Sequence, residues 1–170
     1  MSMPQLEIMR RKTGGIAMSI KFRNYTKQPG ITEDYHKVRA FLIKLGHGQF
    51  DHTRWDWMAT HGSLDKSAVG RIGIWEDEEQ IVGIATFDCK LGEAFCLTLS
   101  EYAYLKKDIL LYAQDNLSKD GRFSVVIDDT DLEFQDIAAE LGFIASEDKE
   151  SDAIFYLDKT STEYDLPHGF

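Results

Sequence analysis

The sequence predicts a mixed α/β fold, with a central, mostly antiparallel sheet of about six to seven strands and about four helices. Two apolar, β-branched runs, Ala68 to Trp75 and Gln80 to Lys90, are joined by four acidic residues, which predicts an antiparallel hairpin. A strand–helix–strand unit follows late in the chain, and such a unit adds a parallel pair to the sheet. Apolar residues at helical spacing separate the other strands.

Composition limits the class of protein. With 170 residues, 43% of them hydrophobic, the chain can bury one domain core and carry short extensions. The 29 acidic and 19 basic residues give a formal charge of −10, which argues against nucleic acid or an anionic membrane as partner. The absence of a bilayer-length apolar run or a signal-peptide core predicts a cytoplasmic protein.

The first half of the chain predicts a strand and two helices. The strand covers Ser19 to Tyr25, and Pro29-Gly30 ends it. The first helix is capped by Thr32 and ends at Gly46. A short second helix covers Thr53 to Thr60, with Asp51 or His52 near its start.

The two cysteines are too few for a disulfide scaffold, and their spacing with other ligands predicts no metal site. After the hairpin, a third strand covers Glu93 to Leu99. If Gly92 and Glu93 form a two-residue turn, Cys89 lies opposite Cys96. A disulfide there would be strained, so both cysteines are expected to be reduced and structural.

The second half predicts two helices and three strands. Ser100 is the expected N-cap of a helix that continues to Leu117, and Phe123 to Ile127 suits a central buried strand. A capping box at Thr130 to Glu133 starts the last helix, which ends at Gly142. The last two strands are expected at Phe143 to Ser146 and Ala153 to Lys159.

Residues 1–17 lack the periodic pattern of the rest, and two interpretations stay open. They form a flexible tail, or they are an over-long gene start with translation beginning at Met18, because codons for Gly14-Gly15 can spell a ribosome-binding sequence. The domain is expected over residues 18–160.

The element order resembles the GNAT superfamily of acyl-CoA-dependent N-acetyltransferases. Three segments carry this resemblance: the hairpin Glu78 to Phe87 (EEQIVGIATF), the strand–helix junction at Leu97 to Ala113, and Ala139 to Phe143 (AELGF). The resemblance implies an acetyltransferase fold, acetyl-CoA as cofactor and an amine acceptor that is a small molecule or a peptide.

The junction departs from the family pattern V-x-P-x-x-(Q/R)-x-x-G-x-(G/A), whose backbone N–H groups hold the pyrophosphate of CoA. Leu99 takes the valine place, whereas Glu101, Tyr104, Lys107 and Ile109 replace the proline, the Gln/Arg and the two glycines. Side chains at the glycine places block close backbone approach, and Glu101 puts negative charge where a phosphate would lie. Binding of acetyl-CoA by this chain is therefore doubtful.

The resemblance also suggests site residues, each with a structural alternative. Leu97, Leu99, Lys106 and Lys107 are the candidates for cofactor binding, although the two lysines also fit a solvated helix face.

The family's general acid, a tyrosine on the late helix, is replaced by Ala138. Asp88 and Glu93 are the candidate catalytic carboxylates, or they simply flank a turn. Trp55 and Trp57 line the acceptor cleft, or they belong to the core or an interface.

The chain's last residues, 164–170 (YDLPHGF), resemble the connector of bacterial tandem GNAT proteins, so residues 161–170 are expected to be a linker toward a second domain. Three hypotheses follow. The chain is the degenerate N-terminal half of an acetyltransferase, with a second half or a second copy as partner. It is a non-catalytic interaction domain with the same fold. Or it is a self-sufficient N-acetyltransferase with an altered CoA loop.

Overall fold

A six-stranded mixed sheet forms the centre of the fold in a computed structural model, which describes residues 7–8, 20–46 and 48–147. The strands follow the chain order across the sheet: β1 (Glu7–Ile8), β2 (Ile20–Asn24), β3 (Gly73–Asp77), β4 (Gln80–Thr86), β5 (Glu93–Thr98) and β6 (Ser124–Val126). Every neighbouring pair from β1 to β5 is antiparallel, and β5 and β6 are parallel. The predicted mixed α/β class is confirmed by this topology.

Four α-helices connect or cover the strands: α1 (Glu33–Leu45), α2 (His52–Thr60), α3 (Lys106–Leu117) and α4 (Leu132–Glu140). Cys96 of β5 contacts the Ile109 carbonyl of α3, with a sulfur–oxygen distance of 4.0 Å. The neighbouring Phe95 therefore points to the other face, where its ring lies 4.8 Å from that of Phe50, just before α2. Helix α3 and the α1–α2 pair thus cover opposite faces of the sheet.

The helix ends in the first half of the chain follow the predicted capping. Thr32 caps α1 by accepting a hydrogen bond from the Tyr35 N–H, and Gly46 ends it at a φ of 94°. Asp51 caps α2 by accepting from the N–H groups of Thr53 and Arg54. These caps satisfy N–H groups that have no partner inside the helix, which is why the sequence signals were reliable.

The hairpin is present, but both of its predicted strands were too long. Residues Val69–Arg71 form a 3-10 helix, so β3 begins only at Gly73. Strand β4 ends at Thr86, and Cys89 adopts a φ of +60°, which is incompatible with a continuing strand. Cys96 pairs with Ala85, so the predicted pairing of Cys89 with Cys96 was wrong. Both cysteines are buried and free, and burial raises the pKa of each thiol.

Several expectations for the second half also need correction. Ser100 does not cap a helix: Ser100–Leu105 form a 3-10 helix, and the α-helix starts at Lys106. Asp131, not Thr130, caps α4, because the Thr130 hydroxyl and N–H both bind Asp128.

Strand β6 is half-buried and lies at one end of the sheet among the described strands, not at its centre. Residues 143–146, which follow the left-handed Gly142, pair with none of the described strands and form no strand. The expected strand at 153–159 and the linker at 161–170 lie outside the described residues.

Two residues of the segment 1–17 belong to the sheet, since Glu7 pairs with Lys21 and Ile8 with Ile20. The Met18 start and the domain limits stay predictions. Within the described ranges, no helix combines the length and the apolar character needed to cross a bilayer.

Two glycines let α3 lie close to the sheet. A Cβ added to Gly83 would lie 2.8 Å from Ile109 Cδ1, and one added to Gly73 would lie 2.5 Å from Tyr112 Cε1. Neither distance leaves room for a methyl group. The Tyr112 hydroxyl donates to the Arg71 carbonyl at 2.9 Å and is bound by Asn24 at 2.5 Å, so its ring is held in place.

We expect Gly73→Ala to lower the free energy of unfolding by about 1–3 kcal/mol, because the fixed Tyr112 ring cannot move aside without strain. The matched control is Gly62→Ala, where nothing lies within 4 Å of an added Cβ. Urea denaturation of both variants tests this. Equal losses in the two would show that α3 does not depend on this close approach.

Candidate functional site

The parallel strands β5 and β6 separate at their carboxyl ends. They pair over only three residues, from Glu93 with Ser124 to Phe95 with Val126. Strand β5 continues for three more residues, Cys96 to Thr98, which pair on that side with no described strand. In α/β sheets, ligands bind beyond the carboxyl ends of parallel strands, where neighbouring connections diverge. This opening is the candidate functional site.

A groove with a volume of about 590 Å³ occupies this opening. We call it the junction groove. Its walls come from the end of α1, the end of β5, the 3-10 helix, the start of α3 and the start of α4. The lining residues used below are Lys44, Leu99, Glu101, Ala103, Lys106, Asp131 and Glu133.

Backbone donors at the junction are used inside the chain. The Leu99 N–H donates to the Val82 carbonyl at 3.0 Å, and the Tyr102 N–H donates to the Leu99 carbonyl at 2.9 Å. The Lys106 N–H donates to the Ala103 carbonyl. A phosphate at a helix start requires N–H groups that are free to donate. Pairing with β4 uses the Leu99 N–H, and the 3-10 helix uses the other two, so none of the three is free.

Glu101 places a carboxylate at the start of the 3-10 helix. This carboxylate accepts a hydrogen bond from its own backbone N–H and another from the Ser100 hydroxyl, at 3.2 Å. The backbone hydrogen bond is the main cause that lowers the pKa of Glu101, so the group is ionised at neutral pH. The chain thus supplies its own anion where a phosphate oxygen would bind.

Lys106 is bound by two carboxylates of α4 and its cap. Its Nζ lies 2.8 Å from Asp131 Oδ1 and 3.0 Å from Glu133 Oε2, and its side chain is only 12% exposed. Burial opposes the charge, but the hydrogen bonds and the attraction of both carboxylates outweigh burial and raise the pKa of Lys106. Lys107 is exposed to solvent. The two lysines therefore have different environments, which sequence spacing did not distinguish.

The charges of the junction groove favour cations over anions. Two ammonium groups, Lys44 and Lys106, face three carboxylates. Among the cofactor candidates, Leu99 lies in the groove wall, and Leu97, two residues earlier on β5, is half-buried. Ala138 is buried on α4, and its methyl group cannot exchange a proton. No group of three or more potential metal ligands occurs within the described ranges.

The two candidate catalytic carboxylates lie at the other end of the sheet. Glu93 is the first residue of β5 and is exposed, and it lies five residues before Thr98 at the groove. At about 3.3 Å per residue this is roughly 17 Å. Asp88 follows β4 at the same end as Glu93. The structure does not bring these two residues together with Leu97, Leu99, Lys106 and Lys107.

Asp88 has a partner that the sequence did not reveal. Arg54 Nε donates to Asp88 Oδ2 at 2.8 Å, and the guanidinium lies 4.9 Å from the centre of the Phe95 ring. Asp88 Oδ1 is buried without a hydrogen-bond partner among the described residues. The ion pair joins α2 to the loop after β4. No sequence signal connects positions 34 residues apart.

The two candidate tryptophans of the acceptor cleft have different environments. Trp55 is 1% exposed, and its Nε1 donates to the Tyr35 carbonyl at 3.2 Å, so it lies in the core. Trp57 is 51% exposed and stacks on His61, with 4.1 Å between the ring centres. Of the two, a ligand can reach only Trp57.

We expect Lys106→Met to lower the free energy of unfolding by about 1–2 kcal/mol, because Asp131 and Glu133 lose a partly buried cation. Lys107→Met is the matched control, since its side chain is exposed and has no ion pair within the described ranges. Denaturation with urea measures both. A Lys107 effect as large as that of Lys106 would contradict the assignment of the ion pairs.

The environment of the Tyr102 hydroxyl predicts that the stability of the fold depends on pH in the alkaline range. Its hydroxyl donates to Asp77 Oδ2 at 2.7 Å. Burial, followed by this hydrogen bond and the charge of Asp77, raises the pKa of Tyr102 to about 12. An unfolded tyrosine loses its proton near pH 10, so the stabilisation is complete below about pH 10 and is lost as the pH rises toward about 12.

The measurement compares the wild type with Tyr102→Phe by urea denaturation at several alkaline pH values. We expect the difference in unfolding free energy between the two to shrink between about pH 10 and about pH 12, because the phenylalanine has no proton to lose. A difference that stays constant over this interval would show that the pKa of Tyr102 is not raised.

Among three comparisons with known proteins, the one with solved structures found similar chains. No protein-family model matches the sequence, and no curated protein matches it. An integron cassette protein from the mobile metagenome of V. cholerae is similar in structure, with 13% identity and a TM-score of 0.46, over 82% of this chain and 94% of that one.

The aminoglycoside N-acetyltransferase AAC(6')-Iy, solved in complex with CoA, is 13% identical with a TM-score of 0.42, over 86% of this chain and 99% of that one. The assignment to the mixed α/β class rests on the strand order and the strand registers of this chain.

Proposed function

We propose that this chain is a GNAT-type acetyltransferase half that shapes the acceptor side of the enzyme and does not bind acetyl-CoA by itself. In this proposal another half supplies the acetyl-CoA site, and the acceptor is an amine on a small molecule or a peptide. The proposed location is the cytoplasm, because acetyl-CoA is available there.

The observation that carries the proposal is the Glu101 carboxylate, which accepts its own backbone N–H at the junction. A diphosphate would have to displace this carboxylate from the N–H while the negative charge stayed close by. Lys106 offers no compensation, because Asp131 and Glu133 already neutralise it. Glu101 is exposed, so solvent moderates the repulsion between the two negative charges but does not remove it.

The acceptor side is supported by charge and by one exposed aromatic pair. A net charge of −10 attracts cationic amines from solution. Trp57 and His61 present a stacked aromatic surface on α2 that an amine-bearing ligand can reach. A cation over an indole ring is favourable, so Trp57 is the residue that we assign to acceptor contact.

The same exposed pair also favours the second candidate, a non-catalytic interaction domain. Tryptophan is common among the residues that anchor protein interfaces. A stable homodimer that is broken by Trp57→Ala in sedimentation velocity, together with no acyl transfer to any amine, would favour this candidate over the acetyltransferase half.

The direct test is a calorimetric titration of the full chain with acetyl-CoA. We expect no binding in the micromolar range, because the junction groove repels the diphosphate. The comparison variant is Ala103→Glu, which fills the groove and adds a negative charge, and whose folding is checked by circular dichroism. Micromolar binding to the wild type that Ala103→Glu abolishes would contradict the proposal and identify a self-sufficient N-acetyltransferase with an altered CoA loop.

A further inference from the structure

A second open pocket, of about 690 Å³, lies at the end of the sheet where β5 and β6 begin. It is far from the junction groove, which lies at the carboxyl ends of the same strands. Two basic residues, Lys119 and Arg122, line it together with Gly92, Asp120 and Phe123. We call it the basic pocket.

The two basic residues lie opposite each other across a tight turn. Lys119 and Arg122 exchange both backbone hydrogen bonds, at 2.9 and 2.8 Å. Between them, Asp120 and Gly121 have φ values of 51° and 73°, which is the type I′ geometry favoured by an Asp-Gly pair. Residues paired in this way project their side chains from the same face, about 5 Å apart at Cβ. The turn therefore holds two cations side by side.

No carboxylate within ion-pair distance compensates these cations in the described part of the chain. Asp65 attracts Lys119 from beyond that distance, and its carboxylate already accepts hydrogen bonds from the Ser67 N–H and hydroxyl. Asp120, which lies between the two cations in the turn, also lines the pocket but forms no ion pair with either of them. Like charges opposite each other on one face are unfavourable unless an anion bridges them.

We propose that the basic pocket binds the phosphate group of a small ligand. Arginine offers a planar fork of donors that matches two phosphate oxygens, and lysine adds a compact charge beside it. Phe123 forms an apolar wall next to both, braced by the Phe143 ring at 5.8 Å between centres. An organic phosphate can use this wall, whereas free phosphate cannot.

This inference is independent of the proposed acetyltransferase role, because the two pockets share no residue. Ala103→Glu, which fills the junction groove, is therefore expected to leave phosphate binding unchanged. Failure of one proposal is visible without failure of the other.

The test uses calorimetric titration of the full chain with phenyl phosphate and, separately, with inorganic phosphate. We expect saturable binding of phenyl phosphate that weakens at least tenfold in Lys119→Gln and in Arg122→Gln. Lys107→Gln, an exposed lysine at the start of α3, is the matched control and is expected to bind as the wild type does. Tighter binding of phenyl phosphate than of inorganic phosphate assigns the site to organic phosphates, and equal binding assigns it to free phosphate.

Melting temperatures separate binding from a structural role. Without ligand, Arg122→Gln is expected to melt at the wild-type temperature or above it, because it removes a repulsion. Phenyl phosphate is expected to raise the melting temperatures of the wild type and of Lys107→Gln, but not those of Lys119→Gln and Arg122→Gln. The proposal is overturned if phenyl phosphate does not bind the wild type, or if Lys107→Gln weakens binding as much as Arg122→Gln does.

Discussion

The close approach of α3 to the sheet is the constraint on which the site depends. Gly73 and Gly83 present no side chain toward this helix, so Tyr112 and Ile109 can lie directly on β3 and β4. That contact fixes where α3 starts relative to the end of β5. Only seven residues, Leu99 to Leu105, connect them, and they have to cross from the sheet to the helix. A 3-10 helix fits this short path because it rises further per residue than an α-helix.

The 3-10 helix in turn decides the chemistry of the junction groove. A long glycine-containing loop would leave N–H groups free to meet a ligand, whereas this connection uses three of them within the chain. The side-chain charges of the junction groove also disfavour an anionic ligand. Glu101 occupies its own N–H, and Asp131 and Glu133 hold Lys106. Backbone and side chains therefore disfavour the same ligand class, a polyanion, for separate physical reasons.

The basic pocket, at the end of the sheet where β5 and β6 begin, is lined by more cations than carboxylates. The cations of the basic pocket have no ion-pair partner within the described residues, and the Arg54–Asp88 pair lies in the neighbouring loop region. The linings of the two pockets therefore differ in sign: two cations and one carboxylate line the basic pocket, whereas two cations and three carboxylates line the junction groove. In a chain of net charge −10, such a local excess of positive charge is a departure from the average surface.

The sequence by itself determined the elements that depend on local chemistry. Thr32 and Asp51 cap their helices as predicted because a side-chain oxygen satisfies N–H groups two or three residues away. The hairpin follows from two apolar runs around an acidic turn. The replaced glycines of the junction were also visible, since Lys107 and Ile109 can be read directly from the chain.

Only the tertiary structure decided which of these residues meet. Lys106 and Lys107 are neighbours in the sequence, and no local pattern distinguishes them. Only Lys106 binds the carboxylates of Asp131 and Glu133, which lie 25 and 27 residues further along the chain. Cys89 lies beyond the end of β4 and has a left-handed backbone conformation that no local sequence signal predicts. Trp55 and Trp57 sit two residues apart on one helix, and the packing of α2 buries the first and exposes the second. Partners distant in sequence leave no local pattern, because their contact exists only once the chain has folded.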